Sequence, residues 1–171
     1  NAGIDGTGQV VGIGDTGLDE LSCFFRNTDS SKVARSSYKN PTYDNTKRKV
    51  IQYISYCDDT DTEEGHGTHV SGTVAGQLIG TDTTYESDNG HASGAKIAFF
   101  DMEYSSHPER GINYPDPFDE TVLTPAYTAG ARLHSNSWGS GYNFYDDSVL
   151  SIDSFSTTNT DFLALFAASN D

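Results

Sequence analysis

A chain of 171 residues suits a single domain and can bury roughly 70% of the surface its unfolded form exposes. Its 25 Asp and Glu against 10 Lys and Arg give a formal net charge of −15, which argues against nucleic acid and anionic membrane as partners, since both demand a basic face. No apolar run reaches the roughly 18 residues a membrane span requires, and the opening Asn1-Ala2-Gly3-Ile4-Asp5-Gly6 lacks the basic and apolar regions of a signal peptide, so the numbering reads as starting at a mature terminus or inside a longer chain.

Residues 9–14 read as a buried strand flanked by glycines, with Asp15 at its carboxyl end. Residues 30–49 are polar, carry Pro41, and read as an exposed loop or insertion. A second strand covers residues 50–56. The two cysteines, Cys23 and Cys57, match no zinc pattern. They are either two independent small buried residues or one disulfide, and their places shortly after predicted strand ends lean towards the disulfide, which would imply an oxidising compartment.

Residues 58–64, Asp-Asp-Thr-Asp-Thr-Glu-Glu, form an acidic loop leading to a helix that begins near His66. Its acids do not match an EF-hand and read as solvated. Val70, Val74 and Leu78 give that helix an apolar stripe, while Gly72, Ala75 and Gly76 allow close backbone packing. A third strand follows at 95–100, a proline-containing loop at 105–118, a helix at 120–130 and a strand at 131–137. A last helix near 147–157 precedes a strand at 162–168. This alternation predicts an α/β fold of three layers, a mostly parallel sheet with helices on both faces.

In such a sheet ligands sit beyond the carboxyl ends of the strands. Asp15, Ser137 and Asn170 fall at predicted strand ends, and His66 falls at a helix N-terminus facing the same edge. An acid, a base and an amide donor at one edge suggest acyl transfer. The imidazole takes a proton from a serine hydroxyl, the carboxylate fixes the tautomer, and the amide holds the oxyanion. A helix N-terminus also disfavours a positive charge on His66 and keeps it a base.

These segments resemble the subtilase family of serine peptidases. Asp15-Thr16-Gly17 resembles the aspartate motif, and His66-Gly67-Thr68-His69-Val70-Ser71-Gly72-Thr73 resembles the histidine motif almost residue for residue. Ala167-Ala168-Ser169-Asn170 resembles the segment ending in the oxyanion asparagine, and Gly90-His91-Ala92-Ser93-Gly94-Ala95-Lys96-Ile97 the turn and strand that usually read Gly-Val-Ala-Pro-x-Ala. Asn136-Ser137-Trp138-Gly139 resembles the strand end that pairs with substrate backbone and lines the specificity pocket. The resemblance covers nearly the whole chain and implies a partial subtilase catalytic domain over residues 1–171, lacking its C-terminal part. It departs from the family at Ser169 and Ser93, which replace a glycine and a proline, and in holding no nucleophile motif before Asp171.

The resemblance implies a serine endopeptidase in which Asp15 orients, His66 acts as base and then acid, Asn170 binds the oxyanion, and a serine beyond Asp171 is the nucleophile. Ser137, Trp138, Gly139 and Ser169 would contact a peptide or protein substrate, and this fragment alone would be inactive. Family precursors carry an N-terminal propeptide, a further partner, and the acidic balance and the family imply secretion or a lumenal site. No cofactor is required; calcium sites are frequent in the family, but no residue here is assigned to one.

Two other classes compete. A non-catalytic member of the fold would bind peptide without cleaving it. Gly12-Ile13-Gly14-Asp15-Thr16-Gly17 also matches the dinucleotide fingerprint, but a helix should start within its glycines and an acid should close a second strand about 20 residues on, and neither follows. His66 and His69 stand at i, i+3 rather than at the i, i+4 spacing of zinc peptidases, and His69 reads as a structural histidine bonded inside the sheet.

Overall fold

A computed structural model describes residues 3–80, 84–139, 141 and 144–168. Six strands form one sheet: β1 (Val10–Asp15), β2 (Arg35–Ser36), β3 (Val50–Ser55), β4 (Lys96–Asp101), β5 (Leu133–Asn136) and β6 (Leu163–Phe166). Their spatial order is β2-β3-β4-β1-β5-β6, and every pair is parallel. Helices α1 (His66–Ala75), α2 (Thr124–Thr128) and α3 (Asp147–Thr158) make the crossovers. The expected α/β architecture, with helices on both faces of a parallel sheet, is the observed one.

The side-chain alternation of β1 and β4 divides the core in two. Val11, Ile13, Ile97 and Phe99 pack with Tyr53 and Ala75 beneath α1. Ala98 and Phe100 pack with Val122, Leu123, Ala126 and Phe155 on the opposite face. Each such buried Val, Leu, Ile or Phe side chain contributes about 1.5–3 kcal/mol.

The glycines of β1 serve packing. A Cβ on Gly12 would lie 2.3 Å from His134 Cδ2, and one on Gly14 would lie 3.0 Å from Met102 Sδ. Gly12 therefore makes room for a buried histidine from β5, and the chain after β1 turns into a loop instead of a phosphate-binding helix. That removes the structural basis of the dinucleotide reading.

Several expectations need correction. Residues 30–49 contain β2, paired through Arg35↔Tyr53 and Ser36↔Ile54; a two-residue edge strand carrying no apolar side chain leaves no hydrophobic pattern. Helix α1 ends at Ala75, short of Leu78, because Gly76 turns extended (φ −59, ψ 139) after its N–H reaches Gly72 O. Its buried face is Gly67, Ser71 and Ala75, whereas Val70 and Val74 are only half-buried against the core. The helix expected at 120–130 opens as a π turn, Asp119–Leu123, and narrows into α2 at Pro125, whose missing N–H leaves the preceding turn one bond short.

Cys23 and Cys57 are free thiols. Cys23 is exposed and its carbonyl accepts from Ile79 N, in the segment leaving α1, while Cys57 accepts from Asn113 Nδ2 at the carboxyl edge of the sheet. The disulfide is not formed, because the two strand exits lead the cysteines to different ends of the molecule.

Candidate active site

Asp15 closes β1, level with Asp101 at the end of β4. His66 opens α1 immediately after Gly65, whose left-handed backbone (φ 68, ψ 30) suits glycine. Gly65 has no side chain to cap the helix, so the cap comes from elsewhere. Thr16 Oγ1 accepts from Gly67 N at 2.9 Å, and Asp61 Oδ2 accepts from Thr68 N at 2.8 Å. Thr16 Oγ1 also donates to Asp61 Oδ1 at 2.7 Å. The end of β1 and the start of α1 are thereby stitched together, with a carboxylate at the positive end of the helix dipole.

Close approach completes the arrangement. A Cβ on Gly67 would lie 2.1 Å from Gly17 O, so only glycine lets the first turn of α1 rest on the loop after β1. The result brings His66 Nδ1 to 2.6 Å from Asp15 Oδ1. The same oxygen accepts from Thr16 N at 2.8 Å, while Oδ2 has no hydrogen-bond partner among the described residues.

Asp15 is fully buried, and burial pushes its carboxyl up from the usual aspartate range against the opposing hydrogen bonds of His66 and Thr16. The His66 ring is 49% exposed. With Nδ1–H given to Asp15, Nε2 is the free basic nitrogen of the pair. The arrangement can remove a proton from a hydroxyl placed against that nitrogen and hold the resulting imidazolium against a carboxylate.

His66 lines a cleft of about 500 Å³ with Thr16, Glu103, Ile112, Ser137 and Trp138 among its walls. Trp138 donates its indole N–H to Gly14 O at 2.8 Å and meets Tyr114, Phe118 and Phe166 edge-on, with ring centroids 5.5, 5.7 and 5.6 Å apart. Its indole nitrogen is thus engaged with backbone, and the ring forms wall. Ser137 lines the same cleft, and Gly139 is exposed beyond it. Ser169 and Asn170 lie outside the described residues.

The acidic loop is more structured than its composition suggests. Asp61 caps α1, and Asp58 Oδ2 accepts from Ser105 N and Oγ at 2.7 and 2.9 Å, fastening residues 58–64 to the loop after β4. Among the described residues no three His, Cys, Asp or Glu side chains converge to hold a metal ion. His69 is exposed on α1, not bonded inside the sheet, because position 69 faces away from the buried stripe of the helix.

Two further carboxylates at this edge escaped the sequence reading. Asp101 is fully buried, accepts from Tyr53 Oη at 2.6 Å, and has its carboxyl pushed up to about 9, chiefly by burial and then by Asp58 and Asp61. Glu103 is only 6% exposed and lines the cleft. Both follow the apolar run of β4, so the strand-end rule that selects Asp15 selects them equally.

A family model described as the subtilase family matches residues 6–171. The chain is 41% identical over 171 residues to the Dictyostelium discoideum serine protease/ABC transporter B family protein tagD, covering 96% of this chain and 9% of that protein. It is 39% identical to tagB of the same organism, with 96% and 8% covered. The chain thus spans less than a tenth of the length of these curated relatives. Among solved structures, the CspB protease of Clostridium perfringens matches 99% of this chain and 38% of its own, with TM-score 0.57 and 18% identity. A protease of Pseudoalteromonas arctica matches 98% and 51%, with TM-score 0.53 and 20% identity. These two likenesses bear on the fold, whereas the family model spans nearly the entire sequence, and on it the chain belongs to the subtilase family.

Proposed function

We propose that this chain is the first part of the catalytic domain of a serine endopeptidase. The observation that carries the reading is the 2.6 Å contact between His66 Nδ1 and the buried Asp15 carboxylate at the carboxyl edge of a subtilase sheet. In it, Asp15 orients His66, and His66 takes the proton of a serine hydroxyl and later returns it to the leaving amine. Asn170 would donate its amide to the oxyanion, a contribution typically worth ~10²–10³ in turnover. Ser137 and Gly139 would pair through their backbone with an extended peptide, and Ser169 would border the pocket.

The nucleophile would come from sequence beyond Asp171. An uncovered apolar face supports this: Leu133, Leu163 and Leu165 share one side of β5 and β6 through the register Leu133↔Leu163 and Ser135↔Leu165, and are 44%, 53% and 48% exposed. Further polypeptide packed there would remove them from water and would lie beside the cleft. Removal of a propeptide and a secreted or lumenal setting belong to the same reading.

Fluorophosphonate labelling of the full-length protein, followed by mass spectrometry, tests the proposal. A modified serine downstream of Asp171, lost in His66→Ala, is the expected result. A folded protein that resists the label would leave a peptide-binding role instead.

A further inference from the structure

Glu103 is the least exposed of the glutamates that line the cleft. It is 6% exposed, yet its side-chain oxygens make no hydrogen bond and no ion pair with any described residue; only its backbone N–H is engaged, towards Asp101 Oδ1 at 3.4 Å. Burial pushes its carboxyl up from the usual glutamate range, the neighbouring Asp15 and Asp61 push it further, and His66 opposes them. A carboxylate held in a cleft and partly withdrawn from water gains more from a cation that reaches it than one on the open surface.

The surroundings favour a cation with an apolar stem. Glu64 and Glu109 line the same cleft, and among the described residues His66 is the only basic one that does. Glu109 is already engaged with His107 Nδ1 at 3.2 Å, and Glu64 is exposed, so Glu103 is the unengaged acid of the interior. Ile112 and Trp138 form apolar walls of the same cleft, suited to the methylene stem of a lysine or arginine whose charged head meets Glu103. The net charge of −15 adds a long-range field that draws such a group towards the protein.

We propose that Glu103 forms the floor of a subsite for the positively charged side chain of a Lys or Arg within two residues of the bond attacked by the His66 site. The inference rests on the peptidase reading above. Glu103 confers preference for a basic peptide, and an acidic side chain in the same place is repelled by all three glutamates of the cleft.

The test uses the full-length protein and fluorogenic peptides identical except for Arg, Leu or Glu at one position, scanned across the residues flanking the bond. At the favoured position the Arg peptide should exceed the Leu peptide by about tenfold or more in kcat/KM, with the Glu peptide poorest. Glu103→Gln should cut the Arg-to-Leu ratio by about tenfold, and Glu103→Asp should restore part of it. The ratio cancels any change in His66 basicity, which acts on both peptides alike. Should Glu103→Gln not fold, Glu103→Asp decides, because drawing the charge back by one methylene must shrink the preference. Equal hydrolysis of the Arg and Leu peptides, a preference that survives Glu103→Gln, or a ratio unchanged in Glu103→Asp would overturn the subsite while leaving the peptidase intact. Absence of both hydrolysis and fluorophosphonate labelling would instead sink the peptidase reading, and the subsite with it.

Discussion

At the scale of single residues the site depends on where one proton is held. Asp15 accepts from His66 and from Thr16 N through the same oxygen, so its geometry is fixed by backbone as well as by the ring. An amide at position 15 could keep the shape yet present a donor to Nδ1, forcing the wrong tautomer. Asp15→Asn in the full-length protein should therefore lower kcat by about 10⁴ with little change in KM, a drop to be read from steady-state peptide hydrolysis. A loss of tenfold or less would mean that the buried carboxylate does not govern the tautomer. Asp15 and His66 were both legible in the sequence because their motifs are local. Thr16 and Asp61 were not recognised as helix caps, because the bonds they make to α1 join positions 51 and 7 residues apart and depend on the packing of one element against another.

Elements meet here through glycine. The contact of α1 with the β1 loop requires Gly67, and a methyl there would overlap Gly17 O at 2.1 Å. Gly67→Ala should destabilise the fold by about 1–3 kcal/mol or more and separate His66 from Asp15. Gly72 is the control within the same helix: a Cβ there meets only Phe25 Cζ at 3.9 Å, so Gly72→Ala should gain up to about 1 kcal/mol from helix propensity. Urea titrations of the recombinant subtilase domain would measure both, and equal effects would show that the close contact does not discriminate. Sequence periodicity marks this helix and its N-terminus but points to Val70 and Val74 as its inner face. The small residues Gly67, Ser71 and Ala75 face the sheet instead, because α1 lies too close to β1 and β4 for larger side chains. Hydrophobic periodicity reports which residues are apolar, and a helix packed this closely buries its smallest ones.

For the whole molecule the main liability is a histidine inside the core. His134 is fully buried, and burial lowers its pKa to about 4 from 6.5 against a smaller opposing effect of Asn136. Between those values the unfolded chain takes up a proton that the folded chain refuses. Stability contributed by the neutral ring is therefore complete above about pH 6.5 and is lost as pH falls towards 4, by roughly 3 kcal/mol over the window. Asp101, held up to about 9, acts in the opposite sense, since its folded form keeps a proton that the unfolded chain releases as pH rises above 3.8. The difference between wild type and His134→Leu isolates the histidine. Unfolding free energies at pH 7 and pH 4.5 should diverge for the two proteins, and parallel pH profiles would contradict the assignment.

The amino-acid order by itself determined the strand and helix alternation, the parallel three-layer class, and the placing of Asp15, His66 and Ser137 along one sheet edge. These follow from local hydrophobic runs, from short motifs, and from the rule that parallel strands all end on one side. Tertiary structure alone decided the rest. It set the order β2-β3-β4-β1-β5-β6, left Cys23 and Cys57 unpaired, and used the glycines of β1 to admit His134. It also left Glu103 buried and unpartnered beside His66. Each of these depends on which distant segments pack together, and a charged residue two positions past a strand reads alike in sequence whether it faces water or lines the cleft.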